Sequence, residues 1–182
     1  YLSVVCAVQM VLRTSAAPRM HSLLVAHADN LVHVLARDAL DGSDVMQTVA
    51  LTTLSHLVAW DATKGTASMR VGERLASAGY MKSLVLRIQE LDMPLQATLV
   101  PDPPSLNALY VYEALLTLLG RLAHCRASLL MDARIVDVLA RVDFPSLRPE
   151  HTLDDTDGFL PPVAERYASL LTPLLQLSLI HI

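Results

Sequence analysis

An all-α fold, an α-solenoid of stacked antiparallel helix pairs, is what this 182-residue sequence predicts. Three observations carry the expectation. Apolar residues recur at spacings of three and four along most of the chain, the period of a helix with one buried face. No stretch alternates apolar and polar residues between hairpin turns, as a half-buried strand would. Hydrophobic residues make up 53% of the chain and charged residues 18%, which allows a large core and is too apolar for a disordered chain.

The first helix is expected at Leu2–Leu12, ended by the polar, proline-containing link Thr14–Arg19. Met20–Leu40 reads as the second, with Leu24, Ala28, Leu31 and Leu35 on one face, and Asp41-Gly42 breaks it. Ser43 or Asp44 caps the third helix. Asp44 and Gln47 have capping-box spacing, in which two free backbone donors are satisfied reciprocally. That helix runs to about Trp60, with Met46, Ala50, Thr53, Leu57 and Trp60 as its stripe, and Asp61–Thr66 reads as a loop. A short helix, Ala67–Ala78, ends at Gly79, where a left-handed cap is wanted.

Met81, Leu84, Val85 and Ile88 form the next stripe. Met93-Pro94 should stop it, because the residue before proline is pushed out of the α region, and Leu95–Val100 reads as a turn. Pro101-Asp102-Pro103-Pro104 is a helix start: Asp102 can cap, and proline is tolerated in a first turn. The helix Ser105–Cys125 has the strongest pattern. Leu109, Tyr112, Leu116, Leu119 and Ala123 form a stripe that Leu115, Leu118 and Leu122 widen, so this helix should touch two neighbours. Ser128–Val142 reads as a further helix or a broken pair, and Asp143–Leu160 as a long polar loop. A last helix should start near Pro161-Pro162 and kink at Pro173. A weak internal echo, LVHVLARD at Leu31–Asp38 and IVDVLARVD at Ile135–Asp143, fits a repeated architecture.

Several function classes are disfavoured. Lys and Arg number 14 against 18 Asp and Glu, a net charge of −4 with the basic residues scattered; direct nucleic-acid binding is not expected. The longest uncharged stretches, Val45–Trp60 and Tyr167–Ile182, fall short of the roughly 18–20 residues of a spanning helix. Cys6 and Cys125 lack metal-type spacing and read as reduced core cysteines. No two of His21, His27, His33, His56, His124, His151 and His181 are three or four residues apart, the spacing that lets two imidazoles share an ion. Asp154-Asp155-Thr156-Asp157-Gly158 has the look of a calcium loop, but Leu153 and Ala164 stand where its first and twelfth ligands would be. No nucleophile elbow or phosphate-cradling glycine loop is present. Catalytic residues, metal ligands and cofactors are therefore not expected. Tyr110 and Tyr112 are read as packing residues with hydroxyls at the surface, or else as part of a peptide groove.

Five phrases carry a resemblance: ARDALDGSDV (Ala36–Val45), SAGYMKSLV (Ser77–Val85), PDPPSLNALYVYE (Pro101–Glu113), LRPE (Leu147–Glu150) and ERYASLLTPLLQL (Glu165–Leu177). In this order and spacing the chain resembles the C-terminal half of the largest inner-ring scaffold nucleoporins, the family of nucleoporin two-oh-five and its fungal counterpart one-nine-two. The resemblance implies an armadillo/HEAT-like α-solenoid in the inner ring of the nuclear pore complex, at the nuclear envelope. It implies inner-ring and linker nucleoporins as partners, support of nucleocytoplasmic transport and pore assembly, and no catalysis. It assigns no role to an individual residue. The alternative is an armadillo/HEAT-type adaptor or nuclear transport receptor; a helical-bundle enzyme is a third class.

The chain departs from the family in its short Thr14–Arg19 link and in its tail. Residues 177–182, LSLIHI, are what the codons CTG TCT CTT ATA CAC ATC encode, the transposase end sequence of sequencing-library adapters. The expected organisation is residues 1–176 as a solenoid segment of a larger scaffold protein and 177–182 as an adapter-derived tail, a genuine apolar helix end being the other reading. An intact exon encoding the hexapeptide would decide for the latter.

Overall fold

The computed structural model describes residues 18–64, 69–97, 103–141 and the single position Thr172. The expected helices at Leu2–Leu12 and from Pro161, the loop Asp143–Leu160, the Asp102 cap, Cys6 and the tail lie outside them. Among the described residues the regular structure is helical throughout: α1 (Pro18–Ala26), α2 (Ala28–Asp41), α3 (Asp44–Lys64), α4 (Val71–Ser77), α5 (Tyr80–Ala97), α6 (Pro103–Asp132) and α7 (Ile135–Leu139).

Helices α2 and α3, joined by Gly42-Ser43, form one antiparallel pair packed along its length, and α5 with α6 forms a second. The pairs meet chiefly along α3 and α6. Val45 and Tyr110 flank one end of that seam, and further along both helices Ser55 is bonded to Arg121. Residue numbers rise together on the two sides, so α3 and α6 run parallel; α2 and α5, each antiparallel to its partner, do so too. Like helices side by side are how consecutive helix-pair repeats of a solenoid stack. An up-and-down bundle would instead alternate direction at every neighbour. The short α4 touches α2, α3, α5 and α6, filling the step between the pairs; α1 packs on α2, and α7 on α5 and α6.

The predicted stripes supply much of the core: Leu35, Leu57, Leu84, Ile88, Leu115, Leu116, Leu118 and Leu119 are buried in one cluster, which Leu51 and Leu54, outside the predicted stripe of their helix, also join, whereas Leu24 and Leu31 are only partly buried. Fully burying each such side chain stabilises the fold by about 1.5–3 kcal/mol. The broad face of α6 meets α3 on one side and α5 on the other, as its width predicts. The stretch Tyr110–Asp132 is long and apolar enough to cross a membrane by composition alone. Its buried leucines are engaged with α3 and α5, the behaviour of a core helix in a stacked array.

Local details differ from the sequence reading in four places, at His27, Asp61, Pro94 and the Asp44 capping box. The expected helix Met20–Leu40 is two, because His27 (φ −108°, ψ 15°) leaves the helical region. Backbone bonds from His27 to Leu23 and from Leu31 to His27 still bridge the break. Asp61 is not in a loop: α3 continues to Lys64, and the following short helix begins at Val71 rather than Ala67. The α5 backbone passes through Pro94 to Ala97; a proline removes one donor near a helix end, and the last turn can still follow. As one of the two expected readings has it, the stretch from Ser128 is a broken pair as far as Arg141: Arg126 (φ −152°, ψ 54°) kinks α6, and Arg134 (φ +59°) separates α7. Finally, the capping box does not close on Asp44. Gln47 donates from Nε2 to the Gly42 carbonyl at 2.7 Å, and its Oε1 accepts from Arg87 at 3.3 Å. Gly79 takes the expected left-handed conformation, φ +79°.

Candidate functional site

Parallel stacking gives the segment two faces of different character. On the α2–α5 face polar side chains bridge the seam. His33 Nδ1 and Tyr80 Oη share a hydrogen bond of 2.7 Å, and Arg74 of α4 pairs with Asp29. Arg74 also donates from Nε to the Met69 carbonyl at 2.6 Å, fastening the start of α4.

Among the described residues the α3–α6 face is open. A shallow groove runs along the seam as two adjoining clefts of about 220 and 160 Å³. Thr48, Thr52, Ser55 and His56 line the larger from α3, facing Glu113, Thr117 and Arg121 of α6; Tyr110 borders both clefts. Asp44 and Val45 close the smaller one. Val45 and Tyr110 are 59% and 46% exposed, the two large apolar side chains left uncovered on this face. Tyr112, two positions along the helix, points into the core and is 2% exposed, so the expectation of a surface hydroxyl holds for Tyr110 alone.

Polar chemistry in the groove is mostly internal to the helices. Thr48 Oγ1 donates to the Asp44 carbonyl and Thr117 Oγ1 to the Glu113 carbonyl, both at 2.8 Å. Arg121 donates from Nη1 to the Ser55 carbonyl at 2.8 Å. Among the described residues no carboxylate stands within ion-pair distance of Arg121. Ser55 is 2% exposed, and its Oγ has no hydrogen-bond partner among the described residues.

Beyond the groove, Asp61 accepts backbone N–H bonds from Met69 and Val71. Burial raises its carboxyl above the ordinary range; the two N–H donors oppose the rise, Glu73 adds to it and Arg126 opposes it. Cys125 is exposed, not a core cysteine; it stands on the solvent side of α6 next to the kink at Arg126. Among the described residues no three His, Cys, Asp or Glu side chains converge as a metal site. His27, His33 and His124 are exposed at separate places, and His56 lines the groove.

Stacked antiparallel helix pairs fit a helical-repeat array, and the comparisons with known proteins agree. The family model described as "Nuclear pore complex scaffold, nucleoporins 186/192/205" matches residues 1–180. The chain belongs to this scaffold nucleoporin family. Human nuclear pore complex protein Nup205 is 32% identical to it over 164 residues, covering 86% of this chain and 8% of the human protein. The Drosophila melanogaster protein of the same name is 28% identical over 156 residues, covering 82% of this chain and 7% of that protein. The chain thus spans less than a tenth of the length of these relatives. The role of a 186/192/205 family member is structural and non-enzymatic. Hydroxyl residues within a helix stripe read as weak core positions, which hides the groove in the sequence; of the two tyrosines that suggest one, Tyr110 borders it and Tyr112 does not.

Proposed function

We propose that this chain is a structural solenoid segment of the nuclear pore complex inner ring, and that it binds segments of linker and neighbouring scaffold nucleoporins. The observation that carries the reading is the match to the scaffold family over residues 1–180. Its physical content is mechanical. Each helix pair buries its stripe against the next, giving an array stiff across its width and elastic along its length. Partner segments lie against seams between helices, where each buried apolar anchor contributes roughly 1.5–3 kcal/mol. Several weak sites in one assembly add avidity. On this reading the protein works at the nuclear envelope, supporting pore assembly and nucleocytoplasmic transport, with no direct contact to nucleic acid.

The test is affinity purification of the tagged full-length protein from nuclear envelopes. Stable recovery of inner-ring scaffold and linker nucleoporins is expected. Recovery of soluble cargo and a small GTPase in their place would establish a transport receptor instead.

A further inference from the structure

We propose that α4 is a latch on the bend of α6. While Asp61 holds the start of α4 and Arg126 holds its Glu73, α6 is kinked at Arg126; when α4 slips off α6, that helix runs straight through the same position. The two settings send the chain after α6 in different directions relative to the helix pair before it. The device is independent of which partners the chain binds.

The kink has no local cause. Sharp bends in helices come from proline, from glycine and serine pairs, or from a group inserted into the backbone ladder. From Ala123 to Leu129 there is neither glycine nor proline, and alanine, leucine and arginine are strong helix formers. The His124 ring is bonded to the Gly120 carbonyl at 2.9 Å, a turn before the bend. The non-helical backbone of Arg126 (φ −152°, ψ 54°) is therefore imposed by tertiary contact.

Helix α4 supplies that contact. A Cβ on Gly72 would stand 3.1 Å from a methyl of Leu122 and 3.2 Å from a methyl of Leu129, one on each side of the bend. Those leucines are seven residues apart, about 10 Å along a straight helix, yet both tips converge on one point of α4. Glu73 Oε1 then meets the guanidinium of Arg126 itself at 3.2 Å.

Helix α4 is also tied to the first pair. Asp61 of α3 accepts the Met69 and Val71 N–H groups, and Arg74 pairs with Asp29 of α2. Sliding of one pair past the other therefore pulls on α4. Its docked state carries opposed contributions, as a two-position element requires. Met69, Val71 and Leu75 are fully buried, which favours docking. Against it, Arg70 is held in the left-handed region (φ +50°), which a residue with a Cβ adopts reluctantly, and Arg126 is held out of a helix it would otherwise continue.

The experiment uses the full-length protein with spin labels introduced as unnatural amino acids at Tyr110 and Asp132, both exposed on α6, and reads their separation by pulsed dipolar spectroscopy. A straight helix would set the two backbones ~33 Å apart, and a kinked one closer. The parent should show mainly the shorter distance. Gly72→Val and Glu73→Arg should each raise the long component at least threefold, with helix content unchanged by circular dichroism. Combining Glu73→Arg with Arg126→Glu should return it toward the parent value. The Glu73 and Arg126 side chains are 41% and 61% exposed, so the charge variants spare the core even if Gly72→Val disturbs it. A long component that stays absent in the folded variants would make the bend intrinsic to α6 and overturn the latch. So would a parent already at the long distance, or a charge swap that leaves the long component as high as Glu73→Arg alone.

Discussion

Asp61, in the last turns of α3, caps α4 from outside it: its carboxylate accepts the Val71 N–H at 2.7 Å and the Met69 N–H at 2.5 Å. The first N–H groups of a helix have no partner within it, so a remote acceptor here does the work of an N-cap. The residue at the formal cap position, Arg70, sits in the left-handed region (φ +50°) and makes no side-chain cap bond. Asp61→Ala should therefore destabilise the chain by about 1–2 kcal/mol, read by chemical denaturation. The pH dependence has a definite sign. Burial raises the folded-state pKa above the unfolded value, so the folded state holds the proton more tightly. The carboxyl's contribution is fully present below the unfolded pKa and is lost as pH rises through the folded one. The stability gap between parent and Asp61→Ala should widen as pH falls from 7 toward 4. A gap that narrows would show that the N–H bonds outweigh desolvation.

Two glycines are needed for different reasons. Gly42 has an ordinary φ of −73°, but a Cβ there would stand 2.5 Å from the Asp38 carbonyl oxygen and 2.9 Å from Met46 Cβ. Neither can withdraw without moving the α2–α3 turn, so Gly42→Ala should cost about 1–3 kcal/mol. Gly79 has open space around it and φ of +79°. Gly79→Ala should cost about 1–2 kcal/mol through backbone strain alone, and Gly79→Asn less, since asparagine tolerates this region. Thermal melts of the three variants separate the cases: equal losses for Ala and Asn at position 79 would contradict the conformational account.

The faces of the helices were legible in the sequence because burial follows a period that residue type records. Met81, Leu84, Val85 and Ile88 are all buried, as are Leu115, Leu116, Leu118, Leu119 and Leu122. The ends of helices were less legible, because they depend on which tertiary contact wins. Asp61 looks like a loop residue until Met69 and Val71 need its oxygens, and Pro94 looks like a stop until the wound helix carries past it. The parallel pairing of α3 with α6 has no local signature at all. It follows only once both antiparallel pairs exist and α4 spans the step between them. The groove is a product of that pairing: Ser55 and Arg121 are far apart in sequence and meet only through it.

If the seam between the repeats is where the stack gains its stability, truncating it should cost far more than truncating the outer surface. Leu118 is fully buried, whereas Leu86 on α5 is 42% exposed. Leu118→Ala should lose about 2–5 kcal/mol, from lost transfer energy and the cavity left behind. Leu86→Ala should stay within about 0.5 kcal/mol. Similar losses at both positions would mean that Leu86 is covered by a further helix in the folded protein.

Cys125 offers a readout of the kink in α6. Its side chain is exposed beside Arg126, where an unbroken helix would carry the same face onward. Partial burial raises the thiol above its ordinary pKa; Arg126 opposes the rise, Asp61 adds to it and Arg121 opposes it. Since the thiolate is the reacting species, an exposed thiol with a raised pKa is accessible yet slow. Iodoacetamide should modify Cys125 completely but more slowly than a free cysteine at pH 7.5, and the rate should climb as pH rises toward the thiol pKa. Peptide mapping separates this site from Cys6. Modification only under denaturing conditions would return Cys125 to the core. A rate above that of free cysteine would mean that the two arginines outweigh desolvation.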